Sequence, residues 1–451
     1  MKFKLETEFQ ETEIGKIPKE WKTVYLDELF EFQRGFSYRK NDLSPTQTSI
    51  RFITINDLEK EGGWKRNGEP IYLSEEFKTK ITKNLVLEVG DLLIAITDMS
   101  KGFIIGAPLY INSDIRSQGE TLVYSMDLVK LQPRKQLNTL FYFYQLSWSR
   151  TRKIMKSLAR GTNVLHLDLN LAKKIKLLEP PLNEQAKIAE ILSSIDRAIE
   201  VVDAGVARLE GLKKALMREL LTGRIRVREE NGKLVFYRET EFQETEIGKI
   251  PKEWKIVKLG AISNFARRGK TPKYGNSNLL VIKTAHNYPD GIKFEEAPRA
   301  SEEFLAKLPR ELYLKPGDIL INSTGTGSVG RVGYFEGYHT PCTVDGHITI
   351  FRTNQNLAIP KYVFYYLSSP YGQSALLSKA SGSTHQVELY VNEILDLALP
   401  LPSLEEQQRI VEFFSMIDQA NELYRKEKTM LDRLKRGLMD LLLTGRVRVV
   451  E

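Results

Sequence analysis

Thiols are almost missing from this chain: Cys342 is its only cysteine, which excludes an intrachain disulfide and a thiolate metal site. Histidine is also scarce. The five residues, His166, His286, His339, His347 and His385, include no pair at the i,i+4 spacing that would put two imidazoles on one helical face, so metal chemistry has no visible seat. Long apolar runs are lacking too. Stretches such as "DLLIAITDM" and "DILINST" are far shorter than the roughly 20 residues a membrane span needs, and the opening "MKFKLETEF" has no apolar core of a signal peptide. Together these absences point to a cytoplasmic protein without a membrane role.

What is present is a globular balance. At 451 residues with 41% hydrophobic and 27% charged side chains, the chain can bury two cores of ordinary size. Lys and Arg number 66 against 58 acids, for a formal charge of +8 and a pI near 9.1. Such an excess suits a polyanion, because clustered basic groups displace condensed counterions from phosphate backbones.

Internal repetition is the strongest signal. "ETEFQETEIGKIPKEWK" runs from Glu6 to Lys22 and returns unchanged at Glu239–Lys255, with divergent sequence after each copy. A second pair aligns without gaps: "EQAKIAEILSSIDRAIEVVDAGVARLEGLKKALMRELL" from Glu184 and "EQQRIVEFFSMIDQANELYRKEKTMLDRLKRGLMDLLL" from Glu406, each closing on Thr-Gly-Arg. Both carry an apolar row at seven-residue steps, Ile188, Ile195, Val202, Leu209, Leu216 and Ile410, Ile417, Tyr424, Leu431, Leu438. Ile191, Leu192, Ile199, Leu212 and Phe413, Phe414, Leu434, Leu442 stand beside those rows. This spacing predicts two rods of roughly 57 Å that pack on each other as a coiled-coil seam, with Gly223 and Gly445 as C-terminal stops.

Between these landmarks lie two segments of similar plan and different letters, each with strand-like runs, turn punctuation and a proline-marked approach to its rod, "LLEPPLNEQ" or "LPLPSLEEQ". The expected fold is mixed α/β: two α/β domains and two long helices in an antiparallel coiled coil, arranged as a pseudo-twofold ring. The expected boundaries are a connector at 1–22, a domain at 23–182, a helix at 183–223, a hairpin and second connector at 224–255, a domain at 256–404, a helix at 405–445 and a strand at 446–451. "RIRV", a turn at Glu229–Gly232 and "KLVFY" read as a hairpin entering the second connector, and "RVRVVE" with "MKFKL" reads as the same hairpin without its turn. The last strand is therefore expected to pair with the first.

"GKIPKEWK" before each domain, "GDILINSTGTGSVGRVG" in mid-domain, "GSTHQVELYVNEILDLALPLPSLEEQQRIVEFFSMID" into the rod and the terminal "LLTGR" resemble the specificity subunit of type I restriction–modification enzymes. The likeness covers nearly the whole chain and occurs twice, in the family's order. In the first half "ARGTNVLHLDLNLAKKIKLLEPPLNEQAKIAEILSSID" keeps the pattern, while "ITDMSKGFIIG" lacks the Gly-Thr-Gly core. The resemblance implies two target-recognition domains, each reading one half of a split sequence in double-stranded DNA. It also implies a non-catalytic chain with two modification subunits and ATP-driven restriction subunits as partners. No cofactor is expected on this chain; S-adenosylmethionine, ATP and magnesium would serve the partners. Those partners would dock on the helix pair and the connectors, where Trp21 and Trp254 are packing anchors or, on the bland reading, plain core residues.

Candidate DNA readers are polar loop residues able to reach base edges or phosphates. In the second domain "ARRGKTPKYG" offers Arg267, Arg268, Lys270, Lys273 and Tyr274 in a Gly/Pro loop, and "QRGFSYRKND" offers Arg34, Tyr38, Arg39 and Lys40 at the equivalent place. "NSTGTGSVGR" adds Thr324, Thr326, Ser328 and Arg331, and "ASGSTHQ" adds Ser383, Thr384, His385 and Gln386. In the first domain Arg160, Thr162, Asn163 and His166 precede the matching helix approach. The bland alternative for each is a solvated basic loop or a self-capped polar turn.

Three rival readings fail on the residues. Gly325, Gly327 and Gly330 imitate a dinucleotide fingerprint, but "RVGYFEGYHTP" follows where a helix should open. Gly269-Lys270-Thr271 imitates a P-loop ending, yet Asn264 stands where the leading glycine belongs. Glu179-Pro180-Pro181-Leu182 lacks both the amide and the aromatic of an adenine methylase loop. A protein-binding coiled-coil scaffold without DNA recognition is the remaining alternative, and the basic loops argue against it.

Overall fold

A computed structural model describes residues 2–65, 68–99, 102–115, 120–382 and 387–450. The chain divides into two compact units, Met1–Val202 with Glu427–Glu451, and Asp203–Lys426. Each contains one complete α/β domain and parts of both long helices, Leu182–Leu220 and Leu404–Leu442. Among the described residues no helix is long and apolar enough to cross a membrane.

In the first unit, a four-stranded antiparallel sheet runs in the order Pro108–Tyr110, Leu92–Ala95, Leu128–Pro133, Phe30–Arg34. "LLIA" is buried at every position, as its uninterrupted apolar run predicts for a central strand covered on both faces. A second four-stranded sheet holds a parallel pair, Thr121–Tyr124 beside Ile50–Ile53. The helix Thr139–Ser147 delivers Phe141, Tyr142 and Tyr144 to the same core as Ile188 and Leu192 from the first long helix and Leu442 from the second. The sheet and the helix pair therefore share one core and cannot loosen independently.

The second unit repeats this plan. Its antiparallel sheet runs Ser263–Arg268, Ile348–Thr353, Asp318–Asn322, Val332–Phe335, and a parallel pair joins Leu280–Ile282 to Cys342–Val344. The helix Pro360–Ser368 sends Tyr362 and Tyr365 into a core with Ile410, Phe414 and Leu220.

The helix contacts within each unit are antiparallel. In the first, Lys435 Nζ lies 2.5 Å from Asp196 Oδ1, and the Tyr144 hydroxyl donates to Asp196 Oδ2 at 2.7 Å. In the second, Lys213 pairs with Asp418, and the Tyr365 hydroxyl donates to Asp418 Oδ2 at 2.8 Å. One aspartate thus ties the domain's tyrosine to the neighbouring helix's lysine in both places. The expected seam needs one correction: Leu212 and Leu434 are 47% and 51% exposed, because the stripe is narrower than the residues beside the heptad row suggest.

The repeated connector is explained by a buried polar node. Arg448 grips Glu184 through Nε and Nη2 (2.7 and 2.8 Å), Glu6 through Nη1 (2.7 Å) and Glu20 through Nη2 (2.8 Å), while Trp21 Nε1 donates to Glu184 at 3.0 Å. In the other unit Arg226 grips Glu406 (3.0 and 2.9 Å), Glu239 (2.9 Å) and Glu253 (2.7 Å), and Trp254 donates to Glu406 at 3.1 Å. Guanidinium alone offers enough rigid donors for three carboxylates at once. The connector supplies two glutamates and the tryptophan, the helix start supplies the third glutamate, and the strand after Thr-Gly-Arg supplies the arginine. The tryptophans are 1% and 2% exposed, so they are packing anchors of the interior, as plain core residues would be, and not surfaces for partners.

Two further features hold the node. Gly223 and Gly445 adopt φ of 71° and 67°, and a Cβ on either would come within 2.4 Å of the Pro251 or Pro18 ring, so only glycine ends the helix there. Arg226 lies on the hairpin Ile225–Glu230 with Lys233–Arg238, whereas Arg448 lies on Val447–Val450, paired antiparallel with Lys2–Leu5. The hairpin turns on Asn231-Gly232, with Asn231 at φ 50°, a two-residue connection that twists with its strands.

Two outcomes follow for stability. Arg448→Ala leaves Glu184, 5% exposed, without its counter-charge and should lower stability by about 3–5 kcal/mol, read as a lower urea midpoint. Glu6 is held at about 2 against an ordinary 4.5, chiefly by the Glu8 backbone N–H and also by Arg448. A depressed carboxylate stabilises fully above its unfolded value and loses that contribution as pH falls through its folded one. Acid unfolding should therefore steepen between pH 4.5 and about 2, and Glu6→Gln should flatten that portion of the curve.

Candidate nucleic-acid interface

Arg34, Arg267, Arg268 and Thr324 sit at one end of the antiparallel sheets, and the strands decide which readers can act together. Arg267 and Arg268 were expected in a loop but close the strand Ser263–Arg268, opposite Ile350 and Thr349. Consecutive strand residues face opposite sides. Arg267 accordingly meets Glu311 at 3.3 Å, while Arg268 pairs with Glu388 and donates to the Leu389 carbonyl at 2.9 Å. The two arginines are separated by the sheet and cannot form one fork.

Next comes Gly269, where a Cβ would lie 2.2 Å from the Val344 carbonyl oxygen; at Gly35 it would lie 2.2 Å from that of Ser125. Backbone passes against backbone at both positions, which admits only glycine and fixes how the following loop leaves the sheet. Lys270 follows, and Lys273 turns to Glu303 at 3.0 Å. Lys283 Nζ stands 5.6 Å from the Tyr274 ring centre, a basic and aromatic pair of the kind that tracks nucleic acid.

The glycine-rich turn contributes Thr324, whose hydroxyl lies 2.6 Å from His347 Nδ1. Ser328 caps this turn by donating to the Thr324 carbonyl at 3.2 Å, and Thr326 is exposed at its tip. Arg331 lies 4.5 Å over the Tyr288 ring. No helix opens after the glycines; the strand Val332–Phe335 does. Ser383, Thr384, His385 and Gln386 lie outside the described residues.

The structure thus gathers Arg268, Thr324, His347 and Glu388, and leaves Arg267 and Lys273 with other acids. Sequence reasoning missed Glu388, Tyr390, Lys283 and Tyr288 and passed over His347 as scattered. Glu388 and Tyr390 did carry a signal, since they continue the polar stretch "GSTHQVELY". The electrostatics are mild: Arg268 holds the Glu388 carboxyl below its ordinary range, and burial pushes the Cys342 thiol up to about 12, which disqualifies it as a nucleophile.

In the first unit Arg34 ends the strand Phe30–Arg34, just before Gly35. Arg160 and His166 are cross-strand partners in the pairing of Ala159–Arg160 with Leu165–Leu167, and Thr162 and Asn163 are exposed in the connecting turn. His166 Nδ1 lies 3.4 Å from the Thr97 hydroxyl, and Arg160 Nε lies 3.9 Å from Asp168. Tyr38 instead packs on Phe52 of the second sheet, with ring centres 4.8 Å apart, and the Arg39 amide is capped by Asp42 at 2.7 Å with Lys40 between them. These three belong with the second sheet and not with the Arg160–His166 turn.

Strand register equates the two faces residue by residue. Thr97 pairs with His166 as Thr324 pairs with Glu388. The Leu167 amide donates to Ile96 as the Leu389 amide donates to Ser323, each at 2.8 Å. The Gly35 and Gly269 amides donate to Leu128 and Ile348, at 3.1 and 3.0 Å. Arg34 therefore corresponds to Arg268, Asp127 to His347, Arg160 to Ser381 and His166 to Glu388. The frame is the same, and its polar letters differ.

Comparison with known proteins agrees with this doubled frame. The family model for the "Type I restriction modification DNA specificity domain" matches residues 18–209 and again 251–433. The chain is 28% identical to the type I restriction enzyme MjaVIII specificity subunit of Methanocaldococcus jannaschii, over 100% of this chain and 98% of that one. It is 23% identical to the EcoKI specificity subunit of Escherichia coli K12, over 88% and 82%. Among solved structures, the S subunit of a type I restriction–modification system from M. genitalium shares the fold with a TM-score of 0.55 at 16% identity, covering 94% of this chain and 96% of that one.

The division between Arg267 and Arg268 is measurable by hydrogen exchange. Arg268→Ala removes a charge-assisted contact to Glu388 and should speed exchange of the Glu388 and Leu389 amides by about tenfold. Arg267→Ala should leave both amides unchanged.

Proposed function

This chain belongs to the type I restriction modification DNA specificity family and is a specificity subunit of such a system, and from that premise we propose how it divides the work. Each unit reads one half of a two-part target in double-stranded DNA, and the two long helices set the interval between the halves. One observation carries this reading: the buried Arg–Glu–Trp node is kept in duplicate, while the polar face on the same strand frame changes, His166 against Glu388 and Asp127 against His347. Repetition of the interior with divergence of the face is what two readers of different sequences require.

The chain acts without catalysing, in the cytoplasm, and assembles with two modification subunits and with restriction subunits. S-adenosylmethionine, ATP and magnesium belong to those partners and not to this chain. The connectors and the long helices are the docking surfaces. Met416 and Leu423 support this assignment, because they stand seven residues apart on the second long helix within one unit and are 52% and 67% exposed, a spacing suited to a partner helix. In the recognition domains, Lys270, Lys283 and Arg34 hold phosphate or guanine edges, and Thr324 and His347 act as a hydrogen-bonding pair.

The test is the methylated motif in cells carrying the complete system. The intact chain should yield one two-part sequence. Inserting about four residues, one helical turn, into a long helix should change the interval and leave the letters of each half as they were. Altered letters at a constant interval would refute this division between ruler and readers.

A further inference from the structure

The two recognition faces differ at one equivalent position in a way that predicts base chemistry, an inference resting on the reading above. In the second unit this position holds Glu388, an acceptor when ionised. Its side chain is 34% exposed, Arg268 engages Oε1, and the Tyr390 side chain approaches the same carboxylate. A carboxylate has about four lone-pair sites, so these contacts orient the group and leave acceptor capacity facing outward. In the first unit the same position holds exposed His166. Its cross-strand neighbour is Arg160, and Arg34 occupies the place of Arg268. Among the described residues Arg34 has no ion-pair partner, and the carboxylate nearest Arg160 is 3.9 Å away. One face therefore presents an oriented acceptor, and at the same position the other presents an imidazole flanked by two arginines, with Asp127 at the place of His347.

We propose that the position of Glu388 and His166 determines base class in each half of the target. Glu388 accepts from an exocyclic amine, the N4 of cytosine or the N6 of adenine. His166, with Arg34 and Arg160, donates to an acceptor edge, the O6 and N7 of guanine. Major-groove edges differ in this sense, and side chains of these types discriminate among them. Arg268 is then a positioning residue for Glu388, although its sequence context suggested a reader.

The experiment uses the full chain assembled with its modification subunits, a duplex library randomised over both half-sites, and sequencing of the bound fraction. Glu388→Gln keeps the shape but exchanges one acceptor for a donor. It should relax the preference for an amine-bearing base at one position by about 5- to 100-fold and leave the other half-site unchanged. His166→Glu should convert one position in the opposite half from guanine towards cytosine or adenine. Glu388→Asp and thermal unfolding of each variant serve as controls for folding. Unchanged letters in folded Glu388→Gln, or uniform weakening across all sequences, would overturn the inference. An unmodified complex that selects no two-part sequence would instead overturn the underlying reading.

Discussion

A single guanidinium gripping three carboxylates, one of which also accepts from an indole N–H, is the constraint on which each half of this protein depends. From the strand after one helix's end, Arg448 and Arg226 reach the start of the other long helix and the connector before a domain. Those are the segments that must meet for a domain to be clamped to a helix pair. Burying a charge is costly unless every partner is in place, so the node discriminates strongly between correct and incorrect assembly. Glu6 and Trp21 have buried partners in this node, and both copies of the connector keep them although the sequences of the two domains differ.

A second shared device relays this order to the recognition face. Asp196 and Asp418 join a domain tyrosine to a helix lysine, so the helix pair and the central sheet are fixed in a common frame. From that sheet the backbone-to-backbone approach at Gly35 and Gly269 directs the next loop. Interior positions are thus tightly specified, while the residues at the sheet's end are placed by backbone register and by side-chain contacts with one another. Their side chains can vary without disturbing the fold, which is the physical condition for specificity to diverge on a conserved scaffold.

Much of this organisation is readable in one dimension. Exact repetition, seven-residue apolar spacing and the Thr-Gly-Arg stops reveal paired rods and duplicated connectors, because these patterns record local rules: helical period, end-capping and turn chemistry. The resemblance of "GDILINSTGTGSVGRVG" and its companions to a known family then supplied the function that periodicity could not. The candidate face was only partly legible. Grouping residues by proximity along the chain joined Arg267 to Arg268 and drew Tyr38–Lys40 into a reading loop, and strand alternation and sheet membership separate them.

By itself, then, the sequence determined the doubled architecture, the lengths and endings of the helices, and the polar stretches from which readers are drawn. Only the tertiary structure decided that Trp21 and Trp254 donate to the helix-start glutamates, that Arg268 serves Glu388, that His347 meets Thr324, and that His166 and Glu388 are counterparts. The reason is physical. Local patterns depend on neighbours a few residues away, whereas a face built at the end of a sheet depends on the register between strands far apart in the chain, and no short-range pattern encodes that register.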